Sequence, residues 1–223
     1  MAAIPRHLSQ LGRRFFPAGL WEGPADRSWV TLTIDDGPHP ELTPRILDAL
    51  QDVDAPGTFF LEGGLAARYP ELVRRMRCEG HEVGNHTWAH LPLVTGCGAP
   101  VREIRRTEEL LARLAPGSLR VIRPPFGMIG PGGAGAIKRC GVLPIYWSVL
   151  PADWDPLTPE ELQRRVLADV HPGAVIVLHG GRKSQSGAAG AIKGLVCELR
   201  QRGFEIVSLA RMLTAAGLKA EVR

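Results

Sequence analysis

Long apolar runs, paired cysteines and a strong excess of either charge are all missing from this 223-residue sequence. The opening segment to Phe16 sets Arg6, Arg13 and Arg14 among Leu8, Leu11, Phe15 and Phe16, with no long apolar centre. That excludes a conventional membrane span, argues against a signal peptide and leaves room for a short amphipathic anchor; a cytoplasmic location is the expectation. The four cysteines, Cys78, Cys97, Cys140 and Cys197, form no C-x-x-C pair. A cysteine zinc site is therefore not expected, and a chain of this size needs no disulfides, so the thiols read as mostly reduced. Lys and Arg outnumber Asp and Glu by only 27 to 23, too small an excess to argue for nucleic acid as a partner. The arginines at 102–106 and 164–165 fall where helices are expected and read as solvated faces. With 44% hydrophobic and 22% charged residues and no repeat or low-complexity block, the chain suits one domain with a core of its own.

What is present is alternation. Apolar runs bounded by turn residues predict strands at Trp29–Ile34, Gly57–Leu61, Glu82–Asn85, Arg120–Arg123, Leu143–Trp147, Ala174–Leu178 and Glu205–Ser208. Apolar spacings of three and four predict helices at Pro44–Val53, Leu65–Cys78, Val101–Leu114, Gly133–Cys140, Pro159–Asp169 and Ala188–Arg202. Strand and helix taken in turn imply an α/β fold with a parallel sheet, closed as a barrel or open and doubly wound; periodicity does not separate the two. The pattern occupies 29–215, leaving 1–28 as an N-terminal extension and 216–223 as a C-terminal tail.

The polar residues decide what the fold is for. Asp35, Asp36, His86, Arg123 and His179 each stand at or just beyond a strand's C-terminal end, where α/β folds bind ligands. Asp35-Asp36-Gly37-Pro38 closes the first strand. On its own Asp-Gly-Pro is turn chemistry; as part of a site, the pleat would send one carboxylate towards a metal and bring its neighbour in from another direction as a base. His86-Thr87-Trp88-Ala89-His90 spaces two imidazoles i, i+4, which in a helical turn share one face and can bind one ion. His81, one loop away, reads as structural. Two His and one Asp leave positions open on an ion for water and substrate; zinc would lower the pKa of bound water from about 15.7 towards about 7. The same three ligands also describe a non-haem iron triad, against which the second acid argues, because a base beside the ion serves hydrolysis. Arg123-Pro124-Pro125-Phe126-Gly127 offers an Arg partner for a carboxylate on a stiff turn. The apolar strand ending at His179 delivers an imidazole to the rim, and an acid such as Asp153 would keep it protonated.

With these residues in place the sequence resembles the polysaccharide deacetylases, the carbohydrate esterase family that includes chitooligosaccharide, chitin and peptidoglycan N-acetylglucosamine deacetylases. The resemblance runs from about Thr31 to His179 in five ordered motifs, of which Thr33-Ile34-Asp35-Asp36-Gly37-Pro38 and His86-Thr87-Trp88-Ala89-His90, after Gly-His-Glu-Val-Gly-Asn, are the most specific. It implies a distorted, incomplete (β/α) TIM-like barrel of about seven strands, with 29–215 as the catalytic domain and an acetylated amino-sugar oligo- or polysaccharide as substrate. Asp35 would be the base, oriented by Arg123. Asp36, His86 and His90 would hold a divalent ion, zinc most often, with cobalt or nickel as alternatives. The N–H of Phe126 would help hold the oxyanion, His179 would be the general acid supported by Asp153, and Trp154 and Val177 would line the pocket for the acetyl methyl. An O-acetyl ester is a close variant of this chemistry, and a glycan-binding module with a vestigial pocket is the non-enzymatic rival. Two departures stand out: Leu150 takes the place of an additional acid three residues before Asp153-Trp154, and Gly180 follows His179 where many members carry Asp.

Overall fold

The computed structural model describes residues 19–94, 98–182 and 187–223. The chain order is β1 (Trp29–Gly37), α1 (Leu42–Gln51), β2 (Thr58–Leu61), α2 (Gly63–Arg68), α3 (Pro70–Cys78), β3 (Glu82–Asn85), α4 (Ala99–Leu114), β4 (Val121–Ile122), α5 (Pro131–Cys140), β5 (Leu143–Pro144), α6 (Pro159–Asp169), β6 (Ala174–His179), α7 (Gly187–Gln201), β7 (Glu205–Ile206) and α8 (Leu209–Ala215). All seven expected strands are present. β4 and β5 are shorter than expected, because Pro124 and Pro125 follow one and Pro144 lies in the other, and proline has no N–H to give a ladder. The helix expected over Leu65–Cys78 is two, broken at Tyr69, since a residue before proline is driven out of the helical region. The strand expected through Ser208 stops at Ile206, and Ser208 instead caps α8 by accepting from the N–H of Arg211 at 3.2 Å. The amphipathic segment to Phe16 and Cys97 lie outside the described residues; Cys78, Cys140 and Cys197 are free thiols.

The strands are all parallel, in the order β5-β4-β3-β2-β1-β6, with β7 also on β1. β1 is the hinge of this arrangement. One edge pairs with β6 from Val30–Ala174 to Asp35–His179, while β7 takes the start of the other edge and β2 its end. Beyond β5 the chain reaches β6, where Ser148 and Val149 donate to the Val175 carbonyl and Val177 donates back to Val149. Lower in this seam Leu20 bridges to Ile145, and Trp21 stacks on Tyr146 with ring centroids 3.9 Å apart. The sheet therefore curls into an incomplete barrel.

Period-two alternation in β1 separates its two faces. Val30, Leu32 and Ile34 join the outer core with Ile46, Leu47 and Leu50 of α1 and Ile192, Leu195 and Leu199 of α7. Thr31, Thr33 and Asp35, on the opposite face, are buried as well. A second cluster holds Phe60, Val121, Ile145 and Val175 with Leu209, Met212 and Leu213, so α8 closes the barrel at the N-terminal ends of the strands. Glu82 at the start of β3 fixes that plug by accepting from the N–H groups of Leu209 and Ala210 at 2.7 and 2.9 Å. Residues 216–223 return to the body: Leu218 and Ala220 pack on the plug, and the buried Arg223 guanidinium pairs with Glu108 at 2.8 Å. With the lower end closed, the mouth lies at the C-terminal ends of the strands.

Candidate active site

Asp35 and Asp36 do not reach the mouth by simple pleating. A continued strand would turn Asp36 towards the helix layer, on the side of Ile34. Instead the register with β2 slips between Ile34 and Gly37, and Asp36 adopts a left-handed φ of 70°, a conformation open to Asp at modest cost. The bulge swings Asp36 over the rim, and both carboxylates line one pocket. Gly181 makes room for this turn: a Cβ there would stand 1.9 Å from the Asp36 carbonyl.

The histidines likewise stand on something other than the expected helical turn. Residues 86–90 form an irregular loop after β3, with Thr87 at φ 67° and His90 at φ 54°. The two rings still meet, centroids 4.9 Å apart, and each Nε2 lies 3.2 Å from Asp36 Oδ1. The three ligand atoms lie within 4.8 Å of one another. The donor set fits a cation. His86 Nδ1 is 2.7 Å from the Arg123 carbonyl, which only accepts, so that nitrogen carries the proton and Nε2 turns its lone pair towards the carboxylate. Two acceptors facing each other call for a proton or a metal between them. Without a metal, a proton takes that place: burial opposes charge on His86, but Asp35 and then Asp36 outweigh it and raise its pKa. Burial also works against the Asp36 carboxylate, yet hydrogen bonds from His86 and His90 hold it well below the usual carboxylate range.

Arg123 fills the barrel beneath Asp35 with no exposed surface. Its Nη1 donates to Asp35 Oδ1 at 2.7 Å and to Thr33 Oγ1 at 2.6 Å, its Nη2 to the Tyr146 carbonyl at 2.9 Å, and the guanidinium lies 4.3 Å from the Phe60 ring centroid. Burial lowers its pKa and Asp35 opposes that shift. Across the pocket, Asp153 accepts from the backbone N–H of His179 at 2.8 Å and pairs with its Nδ1 at 2.7 Å. Burial alone would depress His179; the Asp153 charge and hydrogen bond, then Asp35 and Asp36, raise it to about 9. Nε2 of a protonated His179 is left to donate into the pocket.

The cavity holds about 410 Å³ and is lined by Asp35, Asp36, His86, His90, Phe126, Trp154, Val177 and His179, all singled out from the sequence, while Arg123 and Asp153 stand behind the wall. Phe126, at a left-handed φ of 59°, exposes 62% of its surface and meets His90 edge-on at 4.7 Å. Trp154 meets His179 edge-on at 5.9 Å. His81 is buried away from the mouth and accepts from the Gly57 N–H, a structural role. Pro124, Trp147, Leu150 and Arg182 also line the cavity. Leu150 gives the wall a buried apolar side chain where the resemblance leads one to expect an acid. Trp147 was open to discovery by the rule that picked out its neighbours, since it stands just past the end of β5.

A curled parallel barrel with an Asp-His-His cluster, a buried carboxylate–guanidinium pair and a carboxylate–imidazole pair at one mouth defines a class: an α/β barrel with acid–base groups beside a candidate cation site. The comparisons give that class its family. A family model described as polysaccharide deacetylase matches residues 22–144, and this chain belongs to that family. It is 36% identical over 199 residues to a peptidoglycan-N-acetylglucosamine deacetylase of Bacillus cereus, covering 87% of this chain and 72% of that one. It is 36% identical over 193 residues to a chitooligosaccharide deacetylase of Sinorhizobium fredii, covering 81% and 89%. The crystal structure of the peptidoglycan N-acetylglucosamine deacetylase Bc1960 with an N-oxidanyl-benzamide ligand superposes with a TM-score of 0.83 at 33% identity, over 90% of this chain and 94% of that one.

Proposed function

We propose that the protein hydrolyses N-acetyl groups on N-acetylglucosamine-containing oligo- or polysaccharides, using a divalent ion, zinc foremost, held by Asp36, His86 and His90. The observation that carries this reading is the convergence of those three ligand atoms beside Asp35, a carboxylate already held by a buried guanidinium. Relatives named for the deacetylation of chitooligosaccharides and peptidoglycan support the substrate class. The ion would supply Lewis acidity and a water of lowered pKa.

Asp35 accepts the proton of the attacking water, and Arg123 and its hydrogen bonds keep the carboxylate aimed upward. The N–H of Phe126 donates to the oxygen that gains charge as the carbonyl is attacked, the point where a fixed donor contributes most. His179, kept protonated by Asp153, gives its Nε2 proton to the departing amine. Trp154, Val177 and Leu150 shelter the methyl group. Acetate and a free amine leave. An acid next to the cluster that can take a proton distinguishes this site from an oxygen-activating iron triad, which has no use for one.

The test is acetate release from a panel of chitooligosaccharides, peptidoglycan fragments and O-acetylated glycans, with zinc stripped by a chelator and then restored. Zinc-dependent release from the N-acetylated members is expected. Release confined to the O-acetylated members would reassign the enzyme as an esterase, and tight glycan binding without turnover would make it a binding module.

A further inference from the structure

The loop that carries His86 and His90 has neither helix nor strand to hold its shape, so its backbone polar groups must find partners elsewhere. They do, from two sides. The His86 N–H donates to the Leu61 carbonyl at 2.9 Å, and the Thr87 and Trp88 carbonyls accept from the N–H groups of Gly63 and Gly64 at 2.8 and 2.9 Å. The Thr87 N–H donates to Asn85 Oδ1 at 2.8 Å, and Asn85 is itself held by the Ile104 carbonyl and Glu108 of α4. The remaining two N–H groups between the histidines, those of Trp88 and Ala89, converge on one atom: Glu103 Oε2, at 3.0 and 2.8 Å. One turn along α4, Arg106 lies over the Trp88 ring at 3.6 Å.

We infer that Glu103 is a positioning residue for the ion cluster, its carboxylate fixing the turn that sets the distance and angle between the His86 and His90 rings. This rests on the proposed metal site. Charge-assisted bonds to two adjacent N–H groups are a stronger clasp than neutral ones. Removing the acceptor takes away the partner of the Trp88 and Ala89 N–H groups while leaving every ligand residue in the sequence. Outer partners that orient metal ligands are worth about 10–100-fold in metal affinity, and Glu103 acts in this way through the backbone of the loop and not through an imidazole nitrogen.

The experiment titrates zinc alone into the full-length protein and into Glu103→Ala and Glu103→Gln, with amide hydrogen exchange at Trp88 and Ala89 followed in the zinc-free state. Expected is zinc binding about tenfold or more weaker in Glu103→Ala, faster exchange at both amides, and a smaller change in both for Glu103→Gln, whose amide oxygen still accepts but without the charge. With excess zinc, Glu103→Ala should recover kcat at an unchanged KM for glycan. Melting in chelator shows whether the Ala variant is folded; if it is not, the Gln variant and Glu103→Asp, one methylene too short, carry the comparison. Parental zinc affinity in Glu103→Ala, or in Glu103→Asp when that variant stands in, would overturn the role, as would an equal loss in Gln and Ala. A parent protein that takes up no zinc would overturn the metal reading together with this role, a result distinct from a parent that binds zinc and an Ala variant that binds it as tightly.

Discussion

The two sides of the pocket differ in what holds their charged groups in place. On the side proposed to handle protons, Asp35 pairs with Arg123 and Asp153 with His179, each at 2.7 Å, and Asp35 and His179 stand opposite each other on β1 and β6. On the proposed ion side three ligand atoms are drawn within 4.8 Å, His86 and His90 each meeting Asp36 at 3.2 Å, on a bulge and an irregular loop. One side is built on paired strands and the barrel's core, and the other, the proposed ion site, stands on an irregular rim. Substitutions on the first should therefore be felt in stability, and substitutions on the second in zinc affinity.

The largest expected effect tests the core side. Arg123→Met leaves Asp35 buried without its counter-charge and should cost about 3–5 kcal/mol of stability along with all activity. Urea denaturation measures it, and a loss under about 1 kcal/mol would break the distinction. Next, Asp36→Ala should weaken zinc binding beyond the roughly 10–100-fold attached to outer partners, with activity at background and, in chelator, a smaller loss of stability than Arg123→Met shows. Asp35→Asn should then separate chemistry from binding: kcat falls by about 10²–10⁴ while zinc titrates as in the parent. The smallest effect is on pH. His179 has its pKa raised from 6.5 to about 9, so its stabilisation is fully present below about 6.5 and is lost as pH rises through about 9. Asp153→Asn removes the largest influence raising that value. The alkaline limb of kcat/KM should move down by about one unit or more, read from a pH–rate profile at saturating zinc; a bound cation offsets the part that Asp35 and Asp36 contribute.

Much of this was legible in the sequence because it is local. Strand ends and the acids and histidines standing on them follow from apolar runs and their terminators, which is why Asp35, Asp36, His86, Arg123 and His179 emerged together. The manner of their presentation was not legible. Periodicity assumes a regular backbone, and Asp36, Thr87, His90 and Phe126 all have left-handed φ, so neither the pleat expected at Asp36 nor the helical turn expected at 86–90 describes the real geometry. α8, seven residues long, is too short for its apolar spacing to stand out. Glu103 has no local signal at all, because its role exists only once α4 lies against the loop.

Arg123 ties the lumen of the barrel to the proposed base, Asp35, and this bears on how a site of this kind can lose function. Neither half of the Arg123–Asp35 pair can drift alone, since each substitution strands a buried charge in a space that also contains Phe60 and Tyr146. Replaced together by apolar residues of matching volume, the pair leaves no charge behind, and such exchanges are often neutral or stabilising. A paired Arg123→Met and Asp35→Leu variant should accordingly melt above Arg123→Met alone while releasing no acetate, its remaining deficit coming from the Tyr146 carbonyl and the Thr33 hydroxyl, which lose their donor. In this barrel the route to an inert and durable descendant runs through two coordinated substitutions, and of the two steps the single one strands the charge.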